Sequence, residues 1–396
     1  MFAAVELAPR DPILGINEAF AADMRPNKVN LGVGVYYDEN GKLPLLQAVK
    51  EAENIRVAQG LPRGYLPIEG VPLYNQAVQG LLFGNDSPIV TNSRAATFEA
   101  LGGTGGLKIG ADFLKRLLPD AEVMISDPSW ENHRALFESA GFKVSTYPYY
   151  DAASHGVNFA GMVKSLESAV PGTIYVLHAC CHNPTGVDLT NDQWAQVVNL
   201  VKARSLTAFL DMAYQGFGDG IAEDSAALNM FSASGLSFFV SSSFSKSFSF
   251  YGERVGALTV VTQDKDETTR VTSQIKRVIR TNYSNPPTHG ASVVAAVLST
   301  PALRQMWESE LGGMRTRIKA MRTGFVDGLK AHGVTRDFSF VARQRGMFSY
   351  SGLTATQVEQ LQKEYGIYAV TTGRICVAAL NNKNLDYVVG AIAKIL

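Results

Sequence analysis

Between about residue 95 and residue 262, short apolar, β-branched runs alternate with longer stretches of helical periodicity, the signature of stacked strand-helix-strand units. The runs predicted as strands are Val123–Ser126, Lys143–Tyr147, Thr173–His178, Thr207–Asp211, Phe238–Ser241 and Ala257–Val261. Most are apolar at successive positions, which suits strands covered by helices on both faces; a solvent-facing strand would alternate. The pattern predicts an α/β chain with a parallel or mostly parallel sheet. Open sheets of this class bind ligands beyond the carboxyl ends of their strands, so residues just after these runs carry the candidate chemistry.

Gly102-Gly-Thr-Gly-Gly106 precedes Leu107, Ala111, Leu114, Leu117 and Leu118, a glycine turn opening a helix. From about residue 314 the texture changes. A long amphipathic stretch from Met314 to Leu329 is followed by strand-like runs at Phe338–Val341, Met347–Tyr350 and Ile375–Ala378, with a helix from Ala355 to Tyr365. Val29–Val35 reads as an early strand entering a glycine turn. The expected organisation is an N-terminal arm (1–12), a small α+β domain (13–44 with 314–396) and a large α/β domain (45–313).

Lys+Arg and Asp+Glu both number 36, so no overall field draws the chain to nucleic acid or an anionic membrane. No segment approaches ~18 uninterrupted apolar residues, and Met1–Arg10 lacks the basic start and apolar run of an export signal. Three cysteines, Cys180, Cys181 and Cys376, make a disulfide framework implausible. A cytoplasmic protein is expected. Adjacent cysteines chelate poorly and no second pair exists, so Cys180-Cys181-His182 points to no metal.

The densest chemistry lies in Ser243-Phe-Ser-Lys246 and the following residues to Arg254. A lysine amine condenses with a carbonyl when apolar surroundings lower its pKa, and Phe244, Phe248 and Phe250 supply such surroundings. Ser243, Ser245 and the two-pronged Arg254 guanidinium suit a phosphate. Lysine plus phosphate suggests pyridoxal phosphate, although a surface loop fits this segment taken alone. Asp211 could hold a pyridine nitrogen protonated, or simply cap a helix. Tyr214 could donate to a phenolic oxygen, as could Asn183 in His182-Asn-Pro-Thr-Gly186, where a plain turn is the alternative. Free N–H groups at the 102–106 turn favour a phosphate. Trp130 could stack on a pyridine ring and His133 could tune Asp211.

Together, Asn183-Pro-Thr-Gly186, Asp211-Met-Ala-Tyr214, Ser243-Phe-Ser-Lys246 with Arg254, Tyr283-Ser-Asn-Pro-Pro287 after Arg280, and Gly373-Arg374 resemble the class I pyridoxal-phosphate aminotransferases of the aspartate/aromatic subgroup. The resemblance covers essentially the whole chain. It implies fold type I, with a mostly parallel seven-stranded sheet, helices on both faces and a smaller α+β domain. It also implies a homodimer with shared active sites. By this resemblance Lys246 carries the cofactor and later moves a proton, Asp211 pairs with the ring nitrogen, and Tyr214 and Asn183 hold the phenolic oxygen. Gly103, Thr104, Ser243, Ser245 and Arg254 bind the phosphate, joined by Tyr65 from the other subunit, and Trp130 stacks on the ring.

The same resemblance maps the α-carboxylate to Arg374 and the side-chain carboxylate of aspartate or glutamate to Arg280 across the dimer, with Gly34 lying close to the substrate. Tyr37 and Leu43 lean toward aromatic side chains, whereas Thr104 and Asn285 match the aspartate-restricted pattern. The expectation is a dual-specificity aminotransferase for aromatic amino acids and aspartate or glutamate, with 2-oxoglutarate as acceptor. The alternatives are an aspartate-restricted enzyme, a β-lyase or decarboxylase using the same cofactor, and a non-enzymatic cofactor-sensing regulator.

Overall fold

Seven strands form the central sheet: β1 (Ala95–Leu101), β2 (Glu122–Asp127), β3 (Lys143–Pro148), β4 (Ile174–His178), β5 (Thr207–Met212), β6 (Phe238–Ser243) and β7 (Val255–Val261). The computed structural model describes residues 1–8 and 12–396, so part of the expected arm, residues 9–11, lies outside the described residues. The strand order is β1-β7-β6-β5-β4-β2-β3. Only β7 runs antiparallel to its neighbours, so the sheet is mostly parallel, as the hydrophobic pattern predicts. Positions in β4 and β7 are buried throughout, while the edge strand β3 mixes buried and exposed positions, the difference expected between covered and edge strands.

The chain divides into two compact units, Met1–Leu43 with Pro184–Gly186 and Thr316–Leu396, and Pro44–Asn183 with Val187–Arg315. In the second, which holds the sheet, Phe137 meets Phe209 at 5.8 Å and Phe209 meets Phe239 at 5.4 Å between ring centroids. The helix Gly102–Leu117 lies against this core so closely that a methyl on Gly110 would be 2.5 Å from Phe209 Cζ. Parallel register sets His178 beside Asp211 and Asp211 beside Ser241, so polar groups line up at the carboxyl ends of β4, β5 and β6.

Strand β1, absent from the predicted set, carries a buried charge. Glu99 is 2% exposed; its carboxylate accepts the Val71 N–H at 3.1 Å, and Tyr283 donates to its backbone carbonyl at 3.2 Å. Burial pushes the Glu99 carboxyl up to about 7, against the pull of the Val71 hydrogen bond. An acid raised in the folded state stabilises the fold fully below its unfolded value of about 4.5, and that contribution is lost as pH rises through about 7. Glu99→Gln is therefore expected to match the parent at pH 4 and to exceed its stability at pH 8 by about 3 kcal/mol. Urea unfolding at both pH values reads this difference. An equal difference at the two would mean that Glu99 ionises inside the fold without cost.

In the other unit, Val29–Asn30 pairs in parallel with Ile367–Tyr368, and Phe348–Tyr350 pairs antiparallel with Arg374–Cys376. The strand expected at Val29–Val35 stops after two residues, because the Asn30 side chain accepts the Gly32 N–H at 3.0 Å and turns the chain. Phe338–Val341 also departs from expectation: Ser339–Arg343 is helical. Asp337 accepts the Ser339 N–H at 2.8 Å and starts a turn there, and a four-residue apolar run does not itself distinguish helix from strand. The strand expected at Ile375–Ala378 ends at Cys376 and gives way to a tight helical turn, Val377–Ala379. The amphipathic helix is longer than its expected span, running Pro301–Ala331 with proline at its start, where the missing N–H costs least. The expected helix Ala355–Tyr365 is present, opened by a Thr354–Gln357 capping box.

Arg322 is almost wholly buried and donates to the carbonyls of Val341 at 3.1 Å, Gly346 at 2.8 Å and Phe348 at 2.5 Å, and to Ser349 Oγ at 3.0 Å. Such a buried cation holds only while its donors are satisfied. It fixes the strand that bears Phe348. Pro184–Gly186 groups with this unit through its own contacts: Arg345 N–H donates to the Gly186 carbonyl at 2.6 Å.

Candidate active site

At the start of the helix Gly102–Leu117, no side chain caps the first backbone N–H groups. Gly102 has a φ of +71°, and a methyl there would lie 2.3 Å from Arg254 Nη2; one on Gly103 would lie 3.1 Å from Ser243 Cβ. Arg254 donates to Ser245 Oγ at 3.3 Å and to the Tyr251 carbonyl at 2.9 Å. Its own carbonyl accepts the Gly102 N–H at 3.0 Å. Gly103, Ser243, Ser245 and Arg254 thus converge beside a helix N-terminus, with Thr104 in its first turn. Backbone N–H groups, hydroxyls and a guanidinium form a cradle suited to a phosphate.

Lys246 is held in the turn that follows β6. Phe244, Phe248 and Phe250 around it are 2%, 1% and 5% exposed. Trp307 stacks on Phe248 at 4.9 Å and donates its indole N–H to the Ser247 carbonyl at 2.7 Å, clamping the turn. The Lys246 Nζ lies 5.0 Å above the Tyr214 ring. Burial, with a smaller push from Arg254, brings the amine down to about 8 despite the opposing charge of Asp211.

Asp211 is the penultimate residue of β5 and is buried. Burial alone would raise its carboxyl; the hydrogen bond and charge of His133, with His178 and Lys246, outweigh that and hold it below the usual range. His133 Nε2 is 2.9 Å from Asp211 Oδ2, and His133 Nδ1 is 2.9 Å from Ser129 Oγ. Asn183 Nδ2 donates to the Tyr214 hydroxyl at 3.4 Å. Trp130 stands edge-on to His133 at 5.3 Å.

His178, the last residue of β4, escaped the sequence reading. Its ring is 4.9 Å from His133 and 4.3 Å from His182, and neither ring nitrogen has a hydrogen-bond partner. Burial and then the neighbouring His133 bring it down to about 3. The parallel register that sets it beside Asp211 was the available signal.

In the unit that contains Arg374, this buried guanidinium donates to the Gly32 carbonyl at 2.7 Å and lies 4.5 Å over the Phe348 ring. A methyl on Gly34 would be 2.6 Å from Phe348 Cζ, so the Phe348 ring itself requires glycine there. Tyr37 is half-buried, its phenol pushed up by burial and then by Cys376. Leu43 is 48% exposed and Tyr65 is 96% exposed. Arg280 is exposed and donates to Ser284 Oγ.

The family model for aminotransferase class I and II matches residues 26–392. The chain belongs to this aminotransferase family. Among its relatives, an aspartate aminotransferase of Pseudomonas aeruginosa is 67% identical over 396 residues, covering all of both chains. An aromatic-amino-acid aminotransferase of Escherichia coli (strain K12) is 51% identical over 399 residues, again covering both chains fully. The solved structure of an aromatic-amino-acid aminotransferase from Burkholderia pseudomallei, covalently bound to pyridoxal phosphate, matches with a TM-score of 0.98 at 67% identity, covering 100% of this chain and 99% of that one. For an aminotransferase of this family, the polar strand ends of the sheet-bearing unit and the Arg374–Phe348 pair are two separately assembled groups.

Proposed function

We propose that this chain is a pyridoxal-phosphate-dependent aminotransferase that moves the amino group of aspartate, glutamate and aromatic amino acids to 2-oxoglutarate by a ping-pong cycle. Lys246 carries the reading: a partly buried amine brought down to about 8, 5.0 Å over the Tyr214 ring, in the same unit as a phosphate-suited cradle and a buried Asp211–His133 pair. The residues fit the cofactor, because Gly102 and Gly103 leave open the space that a methyl would fill against Arg254 and Ser243. When bound, pyridoxal phosphate supplies an electron-withdrawing ring that stabilises negative charge at the substrate Cα.

Gly103, Thr104, Ser243, Ser245 and Arg254 hold the phosphate in this proposal. Asp211, oriented by His133, holds a proton on the ring nitrogen; Tyr214 and Asn183 hold the phenolic oxygen; Trp130 covers the ring. Lys246 Nζ would move the proton between the substrate Cα and the C4′ carbon of the cofactor. Arg374 binds the α-carboxylate and Arg280 the side-chain carboxylate, while Tyr37 and Leu43 accommodate an aromatic ring. Binding both carboxylates favours exchange of nitrogen over loss of carbon dioxide.

The working form is a homodimer, in which Tyr65 and Arg280 each serve the other subunit. An apolar series, Leu45, Ile55, Val57, Leu61 and Leu73, is 45–75% exposed in the single chain, more than isolated surface residues require. No helix among the described residues is long and apolar enough to cross a membrane, and we place the enzyme in the cytoplasm. The test is purified protein given aspartate or phenylalanine with 2-oxoglutarate, assayed for glutamate, with its mass measured by sedimentation. Glutamate from both donors and twice the 42.8 kDa chain mass are expected. Glutamate from aspartate alone would restrict the specificity; carbon dioxide or ammonia without glutamate, or an active monomer, would overturn the proposal.

A further inference from the structure

Behind Tyr214 lies a sulfur cluster with no part in the proposed chemistry. Cys180 and Cys181 are buried and form no disulfide. Side chains of adjacent residues on an extended strand point to opposite faces, which is why adjacent cysteines are poor chelators. Here Cys181 adopts a left-handed backbone, φ +52°, and both thiols come to one side. A thiol sulfur from each and an oxygen of Asp224 lie within 4.8 Å of one another, and Cys180 Sγ is 3.5 Å from Met212 Sδ.

The donor set selects its ligand. Asp224 already accepts N–H groups from Gly216 at 2.8 Å, Gly218 at 2.9 Å and Asp219 at 3.0 Å, and Met212 offers only a thioether. A hard or strictly tetrahedral cation lacks its ligands here. A soft centre that needs two sulfurs and no fourth protein ligand is suited. We propose that Cys180 and Cys181 form a buried dithiol site that captures a trivalent arsenical, and that capture disables the enzyme by displacing Tyr214.

The step balances as R–As=O with two thiols. Two As–S bonds form, two S–H bonds and the As=O bond break, and the oxygen leaves as water with both protons. Neither arsenic nor sulfur changes oxidation state. The coupling to Tyr214 is direct: Cys181 Sγ donates to the Tyr214 carbonyl at 3.9 Å, a contact the adduct removes. Asp224, the third member of the cluster, shapes the turn 216–219 just beyond Tyr214. The hydrogen bond with the Cys181 thiol, and then burial, hold the Cys180 thiol well above its ordinary value, so two-site capture is favoured over attack on Cys180 by one-site alkylating agents.

Holoenzyme incubated with phenylarsine oxide is expected to gain one phenylarsenic group per chain by intact mass and to lose at least tenfold in activity. Both changes should reverse with 2,3-dimercaptopropanol but not with 2-mercaptoethanol. Under urea, the treated protein should expose one maleimide-reactive cysteine and the untreated protein three. Cys180→Ser and Cys181→Ser should each lose the adduct and the sensitivity, and Cys376→Ser should keep both. An unmodified native protein, or an adduct surviving Cys180→Ser, would overturn the site. An adduct with full activity would overturn the coupling to Tyr214, the only part that rests on the proposed function; mass and thiol counts do not depend on it, and the urea count needs no variant.

Discussion

Lys246→Ala is expected to lower kcat/KM for aspartate and phenylalanine alike by about 10⁴-fold, the upper range for a positioned acid/base group. Lys246→Arg should lose nearly as much, because a guanidinium stays protonated and cannot accept the Cα proton. Neither variant should unfold: Phe244, Phe248 and Phe250 keep the turn apolar, and Trp307 still donates to the Ser247 carbonyl. Circular dichroism and the thermal midpoint serve as controls. Activity within tenfold of the parent would remove Lys246 from the chemistry. The amine also predicts a pH dependence. Only the neutral form reacts with the cofactor aldehyde, and Lys246 is brought down to about 8, so apoprotein should take up pyridoxal phosphate about tenfold more slowly for each pH unit below that point. The expected profile is flat above pH 9 and falls on the acid side; a profile flat down to pH 6 would mean that the resting amine is already neutral there.

The groups legible in the sequence are those whose chemistry is local along the chain. Lys246 and Arg254 are eight residues apart, flanked by serines and phenylalanines, and Asp211 and Asn183 each end or follow a short apolar run of strand-like pattern. What escaped depends on contacts between distant segments. His178 looked like the last residue of a strand until parallel register set it beside Asp211. Phe348 read as ordinary strand packing; its role beneath Arg374 and against Gly34 arises because Arg322, in a distant helix, fixes the strand that carries it. Strand β1 was missed because Glu99 interrupts a short run rich in alanine. The two adjacent thiols come to one side only through the left-handed backbone at Cys181, a local conformation that the sequence does not display.

The two arginines are expected to separate by substrate. Arg374 is buried, with its guanidinium over Phe348 and one donor on the Gly32 carbonyl, a preorganised fork for a carboxylate present on every substrate. Arg374→Ala should reduce kcat/KM for aspartate and phenylalanine together by about 10³-fold, within the 2–5 kcal/mol cost of breaking a buried charge pair. Arg374→Lys should recover only part of the loss, since an ammonium keeps the charge but not the two-pronged geometry. Arg280 is exposed and held only lightly, by Ser284, leaving it available to a carboxylate that phenylalanine lacks. Arg280→Ala should cost aspartate about 100-fold and phenylalanine less than about threefold, so the ratio of the two donors changes although the fold does not. Steady-state kinetics on both donors decides the assignment. Equal losses in Arg280→Ala would mean that this residue supports the dimer or the cofactor rather than reading the side chain, and a donor-selective loss in Arg374→Ala would exchange the two roles.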